Sequence, residues 1–282
     1  MKRREFLQLA GTTVLGAGLP SRGVEGPSAP GYEPPAYDDL DRYDFVLPRI
    51  RLTELPYKGR GKGPDFWNVR PGGDANLLRE LAAVIRCRVK PITGTFDWTP
   101  QYALEGQLNA VLTFDEPDRL RRYPFLFMTS ENGYECTATQ RQNLKDYITA
   151  GGFILMDDCV VGSGGDFFYR CSYALLEEIF GSGAVQTVPK DHEVFHNIYD
   201  LTDTGLPSLR YGGSRYPKGF SRTHGQNHGA RGLFIGDRLA VFLSSTDLHC
   251  GWCDSHGLEW GIEGYRKTIQ LGINIILYAL TH

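Results

Sequence analysis

Hydrophobic positions in the middle of the chain follow two kinds of spacing. Continuous apolar runs occur at YPFLFMTS (123–130) and FILMDD (153–158); between them, TATQRQNLKDYITAGG (137–152) has apolar residues three or four apart. Continuous runs are typical of strands covered on both faces, and the wider spacing is typical of amphipathic helices. Thr137 and Gln140 have the spacing of a capping box at the start of that helix. The pattern therefore predicts a parallel strand–helix–strand unit.

Other segments extend this unit on both sides. Helices are predicted at DANLLRELAAVIRC (74–87), with Asp74 as N-cap, at DFFYRCSYALLEEIFG (166–181) and at EGYRKTIQLGINIILYALTH (263–282). The segment GLFIGDRLAVFLSS (232–245) predicts a hairpin that turns at Gly236-Asp237. We expect an α/β fold, with a mostly parallel sheet, helices on both faces and an added antiparallel hairpin. Ligands of such sheets bind outside the carboxyl ends of the strands.

The N-terminal segment predicts export. Residues 1–20, MKRREFLQLAGTTVLGAGLP, combine a charged start with an apolar run that is too short for a membrane span. Arg3-Arg4 before Phe6 and Leu7 resembles a twin-arginine signal, with Gln8 in place of the usual Lys; the alternative is an ordinary secretory signal. Either signal exports the protein, to the periplasm or outside the cell. The first interpretation makes the twin-arginine (Tat) export machinery a partner.

Composition indicates one globular domain behind a linker. Residues 21–43 are rich in Pro, Gly and acidic side chains and are expected to be a linker, and residues 44–282 are expected to form a single domain. The net charge of −3 provides no basic field, so we expect no nucleic-acid partner. The final helix is apolar on two sides, which is typical of a buried helix. We therefore expect no stable membrane span.

Two carboxylates end the apolar run 153–158. Asp157 and Asp158 stand at the edge where ligands bind, and since adjacent strand residues point to opposite faces, at most one faces a given site. One interpretation is a metal ligand or general base; the other is an Asp that caps the next helix or holds the turn at 162–165. At the end of the preceding predicted strand, Ser130 and Glu131 are candidate ligand-binding residues.

Two further polar segments carry candidate residues. In DHEVFH (191–196), Asp191 and His192 are candidate catalytic residues, and the alternative is a polar cap on a turn. Residues 210–230 have no periodicity and carry Arg222, His224 and His228 among glycines. Such a segment suits a lid or a clamp for an anionic ligand, or else a surface loop with solvated charges.

The segment DLHCGWCDSHGLEW (247–260) crowds Asp, His and Cys residues together. Asp247 follows an apolar strand and therefore lies at the ligand edge; with His249 and His256 it forms a candidate metal-binding set. Cys250 and Cys253 form a C-x-x-C, but the chain has no second one, which excludes a zinc site with four Cys ligands. A Cys250–Cys253 disulfide, or a pair of free thiols, is the leading interpretation, followed by metal binding and then redox catalysis.

Five segments occur in an order and spacing that resembles the bacterial family of the domain of unknown function numbered 4159. They are YPFLFMTS, LKDYITAGGFILMDD, DHEVFHNIYDL, DRLAVFLSSTDLHCGW and LGINIILYALT, and the resemblance covers roughly residues 43–281. It implies a flavodoxin-like sheet related to class I glutamine amidotransferases, and no established activity. Those enzymes carry a Gly-x-Cys-x-Gly elbow, whereas Cys159 in FILMDDCVVG lacks flanking glycines. Glutaminase activity is therefore not expected.

Two functional hypotheses follow. In the first hypothesis, the chain is an exported domain that binds a small polar or carbohydrate-like ligand at the carboxyl edge of its sheet. Alternatively, it is a metal-assisted hydrolase, for which a divalent metal would be the cofactor. Geometry discriminates between them, because the second requires side chains that converge within reach of a metal ion. The residues for that second hypothesis are Asp157, Asp158, Asp191, His192, Asp247 and His249.

Overall fold

The computed structural model describes residues 39–56, 66–93, 108–159, 166–207, 210–211, 220–221, 228–253 and 261–282. The predicted signal segment, most of the predicted linker, the turn at 162–165, Arg222, His224 and His256 lie outside the described residues. Within the described ranges, no helix is both long enough and apolar enough to cross a membrane.

Eleven strands and six α-helices form the described part of the chain. The strands are β1 (Pro48–Ile50), β2 (Thr53–Glu54), β3 (Ala110–Leu112), β4 (Phe125–Ser130), β5 (Tyr134–Glu135), β6 (Phe153–Asp158), β7 (Val185–Thr187), β8 (Arg210–Tyr211), β9 (Phe220–Ser221), β10 (Arg231–Ile235) and β11 (Arg238–Ser244). The helices are α1 (Pro71–Val84), α2 (Pro117–Leu120), α3 (Ala138–Thr149), α4 (Phe167–Phe180), α5 (Leu248–Cys253) and α6 (Gly261–Thr281).

Seven strands form the main sheet, in the order β3-β1-β4-β6-β11-β10-β7. The first five are mutually parallel, and β10 runs antiparallel to both of its neighbours. Numbered along the chain, the five parallel strands lie in the order 2-1-3-4-5. The pairs β2–β5 and β8–β9 are separate two-stranded sheets. The expected mostly parallel α/β sheet with an added hairpin is therefore confirmed.

Apolar side chains fill both faces of this sheet. On one face, α1, α5 and α6 pack against Phe125, Phe127 and Leu155. On the other face, α3 and α4 cover Leu126, Met128 and related strand residues. Because successive strand residues point to opposite faces, the continuous apolar runs of β4 and β6 supply both cores. The predicted helices therefore lie on both sides of the sheet.

Several local predictions are confirmed and one is corrected. The capping box at Thr137 and Gln140 starts α3, and the hairpin turns at Gly236, which has a φ of +60°. Asp74 is not the N-cap of α1: the helix begins three residues earlier, at Pro71, with Arg70 in the cap position. The carboxylate of Asp74 instead forms a buried ion pair with Arg49, which is a stronger interaction than an exposed cap.

Candidate functional site

A buried polar cluster lies at the carboxyl edge of the sheet. β6 ends in the pair Asp157–Asp158 and is followed directly by Cys159. β11 is followed by a short link that ends at Asp247, and α5 then carries His249 and Cys250 next to the same edge. All of these side chains are fully buried. The cluster therefore lies at the edge where the rule for α/β sheets predicts ligands to bind.

The two adjacent carboxylates bind helices on opposite faces of the sheet. Asp157 accepts hydrogen bonds from the backbone N–H groups of Leu248 (3.1 Å) and His249 (2.8 Å) at the start of α5. Asp158 accepts one from the backbone N–H of Tyr169 (2.8 Å) in α4. Asp158 thus caps the next helix, as the capping interpretation proposed, whereas Asp157 caps a helix some ninety residues further along the chain. The contact of Asp157 also anchors the helix that carries His249 and Cys250.

Both carboxyl groups are harder to ionise than usual. Burial raises the pKa of Asp157 to about 7, and the nearby charge of Asp247 adds to the effect, while its hydrogen-bond donors oppose it. Burial also raises the pKa of Asp158 well above its ordinary value. At neutral pH, Asp157 is therefore poised between its two forms. Carboxyl groups with such pKa values are common at functional sites.

Three soft ligand atoms converge beside these carboxyl groups. The sulfur atoms of Cys159 and Cys250 lie 3.3 Å apart. A ring nitrogen of His249 joins them, and all three atoms lie within 4.8 Å of one another. Among the described residues, this is the group of His, Cys, Asp and Glu side chains that meets the geometry of a metal site. Two thiolates and one imidazole are ligands that Zn²⁺ prefers.

The ring of His249 is oriented by its neighbours. Its Nε2 lies 3.1 Å from a carboxylate oxygen of Asp74 and 2.8 Å from Nη2 of Arg49. Its Nδ1 is buried and has no hydrogen-bond partner among the described residues. Burial lowers the pKa of His249, and the charge of Arg49 lowers it further, so the ring is neutral. Phe127 and Trp252 flank the ring, with centroids 5.5 Å and 5.6 Å away.

Arg49 is a buried cation on β1, and each end of its guanidinium is satisfied. Its Nε and Nη2 donate to the two carboxylate oxygens of Asp74 at 2.8 Å and 2.7 Å. Its Nη1 donates to the backbone carbonyls of Trp67 and Val69. Arg49 thereby ties the segment before α1, and the first turn of α1, to the sheet beneath His249.

Arg70 and Asp247 have left-handed backbone conformations, with φ values of 50° and 61°. Such conformations cost free energy in residues other than glycine and are concentrated at functional sites. The guanidinium of Arg70 is buried beside the thiols: its pKa is raised, most strongly by Cys250 and then by Cys253. Its Nε has no hydrogen-bond acceptor among the described residues. Both strained residues thus face the cluster.

Gly73 allows α1 to approach α5 closely. A Cβ atom at this position would lie 2.9 Å from Sγ of Cys253 and 3.0 Å from Nε2 of His249. Those distances are shorter than ordinary van der Waals contact, so any larger residue would push the two helices apart. A glycine is therefore needed in the first turn of α1 for His249 to reach Asp74.

The predicted residues divide into groups when they are located in the structure. Asp157, Asp247, His249 and Cys250 lie together in the cluster, and Asp158 is turned to the opposite face. Ser130 is at the same edge, where its hydroxyl donates to Glu54 (2.8 Å). The charge of Glu131 is near enough to raise the pKa of Cys159 slightly, although contact with Cys250 and burial raise it more.

Asp191 and His192 are not part of this cluster. Nδ1 of His192 accepts the N–H of Val194 and caps a short 3₁₀ turn. The ring of His192 packs on Tyr278, whose hydroxyl contacts Leu239 at the amino end of β11. This position is the opposite edge of the sheet, so the alternative interpretation, a polar cap on a turn, describes the segment.

His228 belongs to a separate pair at the carboxyl edge. Its Nε2 lies 2.5 Å from a carboxylate oxygen of Asp166, and its ring stacks on Tyr169 with a centroid distance of 4.2 Å. Its backbone N–H donates to the hydroxyl of Ser245. It therefore lies next to the cluster without contributing a ligand atom to it.

Of the two forms expected for Cys250 and Cys253, the structure has the pair of free thiols and not the disulfide. Both thiols lie on one turn of α5. Sγ of Cys253 contacts the carbonyl of His249 at 3.5 Å, whereas Sγ of Cys250 contacts Cys159. The spacing of apolar residues in this segment predicts no helix. The short helix forms because Asp157 caps its first N–H groups, which is a tertiary contact.

Four residues in or next to the cluster are not among the site residues that the sequence predicts. They are Cys159, Asp74, Arg49 and Arg70. Cys159 directly follows the strand-end carboxylates, so the edge rule for α/β sheets includes it. The other three carry no local signal, because their partners are distant along the chain.

Comparison with known proteins identifies a family. The family model described as "Domain of unknown function (DUF4159)" matches residues 51–280. A search of curated proteins found no match to the chain.

Proposed function

The chain belongs to the family of the domain of unknown function DUF4159, and we propose that it is a metal-dependent hydrolase. Its metal centre would consist of Cys159, His249 and Cys250, with Zn²⁺ as the preferred ion. The single observation that carries the proposal is the convergence of two sulfur atoms and one imidazole nitrogen in a buried position. Neither Asp191 nor His192 has a role in it.

The distances fit one tetrahedral ion. Two sulfurs that bind one Zn²⁺ at about 2.3 Å each lie roughly 3.8 Å apart, which is close to the 3.3 Å between Cys159 and Cys250. Nδ1 of His249 is available as the third ligand. The opposite nitrogen faces Asp74, and a carboxylate behind a histidine ligand is the usual second-shell arrangement in metal sites.

Three ligands converge among the described residues, and that number favours catalysis over a structural role. Structural zinc sites have four protein ligands, whereas catalytic sites have three and leave a fourth position for water or substrate. A bound Zn²⁺ lowers the pKa of such a water. Asp157 titrates near neutrality and Asp247 lies beside it, so this edge also carries carboxylates suited to accepting a proton.

Elemental analysis tests the metal centre. We expect about one zinc per chain in protein purified under reducing conditions, and a sulfur-to-metal charge-transfer band after replacement by Co²⁺. Cys159→Ser and Cys250→Ser should lose the metal, while Cys87→Ser should retain it, because Cys87 lies outside the cluster. Wild-type protein that takes up no metal when zinc is supplied would refute the proposal.

Hydrolysis is tested separately with chromogenic phosphate and carboxylate esters. We expect turnover by the zinc-loaded protein, loss of turnover with a chelator and recovery when zinc is added back. Asp247→Asn should lower the rate without removing the metal, since Asp247 is not among the three ligands. If the fully zinc-loaded protein hydrolyses none of these esters, the proposed hydrolase activity is contradicted and the metal site remains.

Non-catalytic binding of a small polar or carbohydrate-like ligand at the same edge is the second candidate. It is favoured by Thr129 Oγ1 and Asp158 Oδ1, buried at the ends of β4 and β6 without hydrogen-bond partners among the described residues. Hydroxyl groups of a ligand would satisfy both atoms. Thermal shifts with a panel of sugars and polyols test this candidate, and no shift with any compound would count against it.

Export and the finer fold class are proposals as well. The order 2-1-3-4-5 of the parallel strands is that of flavodoxin-like sheets, which supports the flavodoxin-like assignment. The twin-arginine pattern at residues 3–7 supports export. Cell fractionation of the native chain tests export, and replacement of both Arg3 and Arg4 by Lys should retain the protein in the cytoplasm.

A further inference from the structure

We propose that Arg70 binds an anionic group of the substrate, so that the ligand of this site carries an oxyanion such as a phosphate ester or a carboxylate. This inference rests on the proposed metal centre, because the oxyanion would lie between the metal ion and the guanidinium.

The two buried arginines near the cluster differ in how well they are satisfied. Arg49 forms a bidentate pair with Asp74 and donates to two backbone carbonyls. Arg70 is only 7% exposed, yet its Nε has no acceptor among the described residues. A buried guanidinium N–H without an acceptor costs free energy. An oxyanion is the ligand that satisfies it, since the planar fork of Arg matches carboxylate and phosphate oxygens.

Arg70 has a strained backbone conformation. Arg70 has a φ of 50° and a ψ of 62° and directly precedes Pro71 at the start of α1. The carbonyl of the preceding residue, Val69, is held by Arg49. A left-handed conformation in a residue other than glycine persists only where its surroundings enforce it, and such strain is concentrated at ligand sites.

The start of α1 places the positive end of a helix dipole beside this guanidinium. No side chain caps this helix end, and the N–H of Gly73 donates to the carbonyl of Arg70. Helix N-termini attract anions through their free N–H groups and their dipole. The helix end and the guanidinium of Arg70 therefore favour the same kind of ligand.

Metal binding frees the charge of Arg70. Cys250 is the strongest electrostatic partner of this guanidinium, and Cys159 also contributes. The thiolates of Cys159 and Cys250 would carry no net charge together with a divalent ion bound to them, so they would no longer balance Arg70. Asp247 remains as the counter-charge nearby. An incoming oxyanion would then contact the metal at its fourth position and Arg70 through paired hydrogen bonds.

Calorimetric titration with inorganic phosphate and with acetate tests this role on the full chain in its zinc-loaded form. We expect at least one of these anions to bind, and its affinity to fall at least about tenfold in Arg70→Gln. Zinc content should stay unchanged in that variant. Arg51→Gln is the matched control, because Arg51 is exposed and lies over the ring of Trp67; it should bind the anion like the wild type.

Arg70→Gly provides a second variant that favours folding, because glycine adopts a positive φ without strain. It should keep zinc and lose the anion. Binding of neither anion to zinc-loaded wild type, or equal affinity in the wild type and both Arg70 variants, would overturn the inference while leaving the metal centre intact. Failure to bind zinc at all would instead refute the proposed function, so the two failures are distinguishable.

Discussion

At the residue scale, the buried ion pair of Arg49 and Asp74 is the contact on which the cluster depends most. Both side chains are 1% exposed. Removal of one partner leaves a buried charge without compensation, so Asp74→Asn should lower the free energy of unfolding by about 3–5 kcal/mol. Urea denaturation of the metal-free protein measures this change.

The control for this prediction is an exposed pair of the same kind. Asp44 and Arg88 form a bidentate contact, with Arg88 63% exposed. Asp44→Asn should cost at most about 1 kcal/mol, because surface pairs are screened by solvent. Similar losses in the two variants would contradict the importance assigned to the buried pair.

His192 provides a test by pH. Burial lowers its pKa, so below its unfolded value of about 6.5 the unfolded chain binds a proton that the folded chain does not. The contribution of His192 to stability is therefore fully present above the unfolded pKa. This contribution is lost as the pH falls from the unfolded pKa towards the lower folded pKa. Asn at this position keeps an acceptor for the N–H of Val194 and does not titrate.

We therefore expect His192→Asn to lose less stability than the wild type between about pH 7 and about pH 5. Urea denaturation at each pH measures the two slopes. The esterase activity proposed for the carboxyl edge should be unaffected, because His192 lies at the opposite edge. If stability depends on pH equally in both proteins, His192 does not titrate as described. If the variant loses activity, His192 is part of the candidate site.

At the scale of elements, the contact between α1 and α5 depends on Gly73. Gly73→Ala places a Cβ atom 2.9 Å from Sγ of Cys253, and the strain of such overpacking costs about 1–3 kcal/mol. The variant should be less stable, despite the better helix propensity of Ala, and should bind zinc more weakly because His249 is displaced. Zinc titration with a competing chelator measures the affinity.

Ala75→Gly separates these two effects, since it lowers the helix propensity of the same turn by up to about 1 kcal/mol. It should reduce stability while leaving the affinity for zinc unchanged. If both variants bind zinc equally, the close approach of the helices has no bearing on the cluster.

The capping box of α3 is a local element with a local test. Thr137 accepts the N–H of Gln140, and the side chain of Gln140 accepts the N–H of Thr137. Thr137→Ala should cost about 0.5–2 kcal/mol. Thr139→Ala, in the same turn and also exposed, should cost almost nothing. Thermal unfolding distinguishes the two variants. Equal melting temperatures would show that the capping box does not stabilise the folded protein.

Elements of this kind were predictable because neighbouring residues determine them. The runs of β4 and β6, the capping box of α3 and the turn at Gly236 follow from spacing that is visible within twenty residues. The start of α1 was misplaced because Asp74 interacts with Arg49, twenty-five residues earlier. Helix α5 was missed because its first N–H groups bind Asp157, some ninety residues earlier.

At the scale of the whole molecule, the cluster joins distant parts of the chain. Its atoms come from β1, the start of α1, the end of β6 and α5. A ligand that binds only the folded state stabilises it, by about 2.7 kcal/mol at a hundredfold excess over its dissociation constant. Zinc at that level should therefore raise the melting temperature by roughly 5–10 °C. Scanning calorimetry measures the shift.

Cys159→Ser should abolish this stabilisation and Cys87→Ser should preserve it. A shift of equal size in both variants would indicate that zinc binds elsewhere in the chain.

This distribution also explains why the candidate site was only partly predicted. The rule that ligands bind at the carboxyl ends of parallel strands led to Asp157, Asp247 and His249 directly. Arg49 stands in an apolar stretch, where its charge has no local partner, and Arg70 lies in a segment without periodicity. Their roles become visible only once the sheet has brought β1, β6 and β11 together.

The two outermost strands of the main sheet have a consequence for self-association. β3 and β7 are three residues long each, whereas the seven-residue β11 lies between two neighbours. An edge strand that short leaves few unpaired amide groups for a second copy of the chain to extend. The long apolar strands, which would template fibrils most readily, are hydrogen-bonded on both sides. The fold thus keeps its most aggregation-prone segments in its interior.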